Sequence, residues 1–78
     1  MDLYRVHTIT IRKADRDKAD KILWKHYDDG DLDDLTIDVI VHKDRDGNPL
    51  ITYRMKTYIY EDFKTIISEF KEAGIQIV

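Results

Sequence analysis

Apolar positions along this chain fall into six segments, each with one clear period, and the three glycines sit where that period changes. Residues 3–12 are rich in β-branched types and alternate toward their end, which predicts a strand. Ile9 and Ile11 are expected to face inward, and Tyr4, Val6, Thr8 and Thr10 outward, with Arg5 and His7 near the sheet edge. Asp15 or Asp17 can cap a helix, because a carboxylate accepts from free backbone N–H groups. Ala19, Ile22, Leu23, His26 and Tyr27 then recur at the spacing of one helical stripe, and Asp28-Asp29-Gly30 ends it.

Leu35, Ile37, Val39 and Val41 alternate with Thr36, Asp38, Ile40 and His42, the clearest strand pattern in the chain. Lys43 to Pro49 reads as a hairpin connection, since Asp46-Gly47-Asn48 tolerates positive φ. Ile51, Tyr53, Met55, Thr57 and Ile59 form the inner side of the next strand, and Thr52, Arg54, Lys56 and Tyr58 its outer side. A second helix opens on Glu61 and Asp62, carries Phe63, Ile66, Ile67, Phe70 and Ala73 on one stripe, and stops at Gly74. Ile75 to Val78 reads as a short last strand.

A strand–helix–strand–strand–helix–strand order has a known compact solution. It predicts a ferredoxin-like βαββαβ α+β domain over residues 1–78, with a four-stranded antiparallel sheet in the order 4-1-3-2 and both helices on one face. The main alternative is a three-stranded sheet whose residues 75–78 pair with nothing, or pair across a dimer. The expected core is Ile9, Ile11, Ile22, Leu23, Ile37, Val39, Val41, Ile51, Met55, Phe63, Ile66, Ile67, Phe70, Ile75 and Ile77.

Composition narrows the chemistry. Seventy-eight residues allow one domain. A domain that small is marginally stable alone, and self-association into a homodimer is one remedy. There is no cysteine, so disulfides and thiolate metal sites are out of reach. No apolar run is long enough to cross a bilayer, and the N-terminus lacks a signal-peptide layout. The chain therefore reads as complete, soluble and cytoplasmic. A net charge of −3 is too mild to select a partner class. Its distribution is uneven: residues 28–48 hold eight Asp against two Lys/Arg, an acidic band between a basic first third and a balanced last third.

Candidate chemistry is thin. Five Asp within residues 28–34 are too irregular for an EF-hand and suit a helix-terminating loop, or a carboxylate surface that imitates nucleic-acid phosphates. Asp44, Asp46 and Asn48 resemble calcium ligands over a short stretch, but the hairpin accounts for them. His26 lies on an apolar stripe with no second ligand at suitable spacing, so it reads as a core or boundary histidine. His42 lies beside Asp44 at a strand end. Ser68, the one serine, falls outside the apolar stripe of its helix, so nucleophilic catalysis has no material. No glycine-rich phosphate loop exists. No cofactor or metal is expected, and the chain reads as a non-enzyme.

A sheet with both helices on one side leaves its other side bare. Tyr4, Ile40, Arg54, Lys56 and Tyr58 would lie there. Trp24, at the flank of the first helix, is a contact anchor by residue type. The expectation is a small regulatory or inhibitory protein-binding module, of the kind phages and mobile elements encode, that occupies a surface of a larger partner. Its contact residues would be Trp24, the acidic residues Asp28, Asp29, Asp31, Asp33 and Asp34, and the bare-side set. The rival is single-stranded nucleic-acid binding through Tyr4, Arg54, Lys56 and Tyr58. Against it, the stretch Tyr53 to Tyr60 lacks both glycines of the RNA-recognition motif on the third strand.

Overall fold

The computed structural model of the chain describes residues 5–28, 37–57 and 60–78. Strand β1 runs Arg5–Arg12, followed by a single 3₁₀ turn, Lys13–Asp15, and helix α1, Arg16–Asp28. Strands β2 (Asp38–Lys43) and β3 (Pro49–Thr57) form the hairpin, and helix α2 runs Tyr60–Glu72. The helical segment thus begins earlier than a cap at Asp15 or Asp17 requires. Arg12 precedes the 3₁₀ turn in extended conformation and offers no side-chain cap.

Both strand pairings are antiparallel, in the order β1-β3-β2. Ile9 lies opposite Tyr53, which lies opposite Val39, and Ile11, Ile51 and Val41 make the next such row. Opposed residues share a face. These rows face the helices, and Thr8–Arg54–Asp38 and Thr10–Thr52–Ile40 face away.

The expected four-stranded sheet is not what forms. The sheet has three strands, and residues after Gly74 meet it through one antiparallel bridge, Ile77 to Ile11, with the Val78 amide donating to the Thr10 carbonyl at 2.8 Å. The reason lies in the helix end. Gly74, at φ +80°, takes a left-handed conformation that is cheap for glycine. Its amide donates to the Lys71 carbonyl, and the Ile75 amide donates to the Phe70 carbonyl, both at 3.0 Å. This is the Schellman arrangement, with buried Phe70 and Ile75 as its hydrophobic pair. The Ile75 amide is spent on closing α2, so too little chain is left to build a ladder.

The hairpin loop is organised by one carboxylate. Asp44 Oδ1 accepts from the amides of Asp46 and Asn48, each at 2.9 Å, and Oδ2 accepts from Asn48 Nδ2 at 3.0 Å. Gly47, at φ +84°, supplies the left-handed step and donates to the Asp44 carbonyl. Pro49 begins β3, where its missing N–H costs little.

The core is Ile9, Ile11, Ala19, Leu23, Ile51, Tyr53, Met55, Phe63, Ile66, Phe70 and Ile75, with Ile22, Ile37, Ile67 and Ile77 packed half-buried against it. His7 faces the helices and stacks on Phe63, ring centroids 4.1 Å apart, which puts α2 over β1. Tyr53 donates its hydroxyl to Asp20 Oδ1 at 2.7 Å, which puts α1 over β3. Buried His26 of α1 meets Glu69 Oε2 of α2 at 2.7 Å, with Lys25 Nζ 3.6 Å from the other carboxylate oxygen. Two expected core residues are misplaced: Val39 and Val41 point to the helix side but lie exposed, because neither helix reaches over β2. Leu50 departs the other way. Its parity puts it on the bare side, yet it is buried where it lies opposite Arg12 and His42.

Candidate functional site

Helix α1 sits over β3, so its outer flank and the helix-side surface of β2 face each other across a gap. Leu23, Trp24, Tyr27, Ile37, Val39, Tyr53 and Asp20 line the resulting cleft, of about 230 Å³. The helical period explains the α1 contribution, because residues 20, 23, 24 and 27 share one face. Pleating explains the rest: Ile37 and Val39 alternate onto the same side of β2 and its approach.

The rim is apolar and wet at once. Trp24 is 61% exposed, Tyr27 49%, Val39 43% and Val41, one pleat further along β2, 58%. Trp24 and Tyr27 pack edge to face, centroids 5.6 Å apart and planes at 76°, so the two rings hold each other upright. Ile40, on the opposite face of the same strand, is 44% exposed. Among the described residues β2 pairs on one side only, with β3. The cleft therefore opens beside a strand edge that is apolar on both faces.

Polar groups in the cleft are already used. Asp20 accepts from Tyr53 at one oxygen and lies 3.6 Å from Arg16 Nε at the other. Burial, reinforced by the hydrogen bond to Asp20 and its negative charge, pushes the Tyr53 phenol far above its ordinary value of 10.0 and keeps it protonated. The volume is below the roughly 300–1,000 Å³ of small-molecule pockets and suits one or two inserted side chains.

Trp24 is thus exposed at the cleft rim, and Ile40 is exposed on the bare side of the sheet, as the sequence placed them. Arg54 is there too, but Nε and Nη2 both donate to Asp38 Oδ2, at 3.2 and 2.8 Å. Lys56 lies exposed one row away. Thr10 and Thr52 hydroxyls meet at 2.8 Å, and His42 Nε2 meets Thr52 Oγ1 at 2.7 Å, so the bare side is laced by its own polar contacts. Tyr4, Asp29, Asp31, Asp33, Asp34 and Tyr58 lie outside the described residues, and Asp28 is placed only as the last residue of α1.

Sequence reasoning passed over Tyr27, Val39 and Val41 as contact residues. A signal was present: Val39-Ile40-Val41 is apolar at both parities, in the strand expected at the end of the sheet. Among the described residues no helix is long and apolar enough to cross a membrane. Fold and cleft together describe a small α+β protein with one exposed apolar corner. No protein-family model, curated protein or solved structure matches the chain.

Proposed function

We infer that this protein is a small non-catalytic binding module, regulatory or inhibitory in effect, that works by seating the α1–β2 corner on another protein. One observation carries the reading: Trp24, Tyr27, Val39 and Val41, all large and all about half exposed, gather around one cleft and one strand edge. Clustered apolar groups of this kind mark contact sites, and aromatic anchors beside a pocket dominate binding energies. The cleft's own acid and phenol are bonded to each other, which favours recognition over acid–base chemistry.

The reading moves the contact surface from the bare side of the sheet to its helix-side corner, keeping Trp24. The nucleic-acid alternative is weakened by Arg54, which would have to leave Asp38 to meet a phosphate. The test is affinity capture followed by titration with the purified partner. A Trp24→Ala/Val39→Asp variant that keeps its fold by circular dichroism should bind at least tenfold more weakly. Undiminished binding by that variant refutes the reading. So does oligonucleotide binding that falls steeply with salt and vanishes in Arg54→Glu/Lys56→Glu.

A further inference from the structure

We propose that the partner at the β2 edge is a second copy of this chain, paired antiparallel through β2 about a two-fold axis at Ile40, so that two three-stranded sheets join into one of six. The proposal deepens the reading above by naming an occupant for the same corner. It starts from what β2 lacks among the described residues. Edge strands of monomers are usually blunted by a central lysine, a proline, a bulge or a cover, since a flat apolar edge is a template for pairing. β2 has charges only at its ends, Asp38 and Lys43, and Val39-Ile40-Val41 between them. Each of those three is about half exposed.

The register follows from symmetry. A two-fold axis normal to the sheet keeps each copy's helices on the same side, and residues opposed across the joint must share a face. This allows axes at one residue or another of β2. Centred on Ile40, Ile40 meets Ile40 of the second copy, Val39 meets Val41, and Asp38 meets His42. Within residues 38–42 every apolar side chain finds an apolar one and Asp38 meets His42 at both ends, and beyond them Ile37 meets Lys43. Centred on Val41 instead, Asp38 would oppose Asp44, and Val39 would oppose Lys43, a like-charge pair and a buried mismatch. Centred on Val39, Asp38 would oppose Ile40. Of these registers, the one at Ile40 alone keeps Val39, Ile40 and Val41 all on apolar partners with no like-charge pair.

The rest of the corner fits this joint. In the Ile40 register, Asp38 lies between Arg54 of its own β3, to which it is bonded at 2.8 Å, and His42 of the other copy. Asp38 holds Arg54 through Oδ2 alone, so its other oxygen is not used by Arg54. On the helix side, the two copies of β3 would stand three strand spacings apart, roughly 14 Å. Helices seated over them are then wider apart than the roughly 8–10 Å of direct helix contact. Trp24 and Tyr27, on the α1 flank that borders the cleft, are of a size to fill that gap above the Val39–Val41 rows.

The absence of cysteine makes the register directly testable. Opposed residues of an antiparallel pair have Cα atoms about 4.5–5.5 Å apart, within disulfide range. Ile40→Cys should therefore cross-link to itself under oxidised glutathione. Val39→Cys mixed with Val41→Cys should give the mixed dimer in preference to either homodimer. Light scattering of the native chain should show the mass of two chains, falling to one on dilution. Ile40→Lys, which sets two cations face to face, should shift the midpoint to at least tenfold higher concentration, with its unfolding midpoint showing that it still folds. A one-chain mass at every concentration up to millimolar overturns the proposal. So does a dimer undiminished by Ile40→Lys, or one that cross-links through Val6→Cys, on the far strand, as readily as through Ile40→Cys. A monomer whose Trp24→Ala variant loses a foreign partner overturns the dimer and leaves the binding reading standing. A dimer through Ile40 with no Trp24-dependent foreign partner does the reverse.

Discussion

The two edges of this sheet are built from similar alternating strands and end up in opposite situations. The β1 edge lies under α2: His7 stacks on Phe63, Phe70 and Ile75 close the helix end, and the tail bridges back to Ile11. The β2 edge has Val39 and Val41 on the helix side as well, yet nothing among the described residues covers them. Alternation therefore says which way a side chain points, and helix placement says whether it is buried. The covered edge is where apolar side chains are buried, and the uncovered edge is where they are left facing water.

The largest expected effects fall on the covered side. Phe70→Ala removes a fully buried ring at the core and the Schellman pair, and should cost about 3–5 kcal/mol in chemical denaturation. Trp24→Ala, on the other side, should change stability by no more than about 0.5 kcal/mol while weakening binding. If the two variants cost the same, the contrast between the edges fails.

Gly74→Ala sharpens the same contrast at the tail. An added Cβ would meet nothing within 4 Å, so the cost is the left-handed backbone alone, about 1–2 kcal/mol. Amide exchange at Ile75 and Val78 should speed up, while β2 and β3 amides keep their protection relative to global stability. Equal loss everywhere would mean that the tail is part of one cooperative unit with the uncovered edge.

Tyr53→Phe probes the seam between the two regions. Losing the bond to Asp20 should cost about 0.5–1.5 kcal/mol. In the native chain the folded phenol titrates above its ordinary value of 10.0, so the unfolded chain releases its proton first. Its contribution is whole below pH 10 and declines as pH rises beyond it. Alkaline unfolding titrations should show that decline, and Tyr53→Phe should flatten it.

The smallest effect belongs to the hairpin loop. Backbone and side-chain bonds from Asn48, with further amides of the loop, hold the Asp44 carboxyl below its ordinary value of 3.8. Its contribution is present above that value and is lost as pH falls through the lower folded one. A carboxyl resonance of Asp44 that titrates at or above 3.8 would show the loop to be less ordered than described.

Much of this was legible in the residues. The periods of residues 5–12, 18–27 and 63–72 mark real elements, and Asp46-Gly47-Asn48 and Gly74 mark real turns, because those signals depend on local geometry. The exposure of Trp24 was legible from its position at the flank of the first helix. Other features were not. Ile75-Gln76-Ile77 has a strand's alternation, but its first amide is taken by Phe70, a fact of the helix end rather than of the pattern. Val39 and Val41 match buried residues in every local respect, and Leu50 matches an outward one. The Tyr53–Asp20 bond joins residues 33 positions apart, which no window along the chain can see.

Local steric and hydrogen-bonding preferences sufficed to write down three of the four expected strands, the two helices and the antiparallel hairpin. Which strand the helices would shelter, and so which apolar residues would face water, depended on where α1 and α2 came to rest across the sheet. That is a contest between distant surfaces for a limited amount of cover, and only the folded chain resolves it.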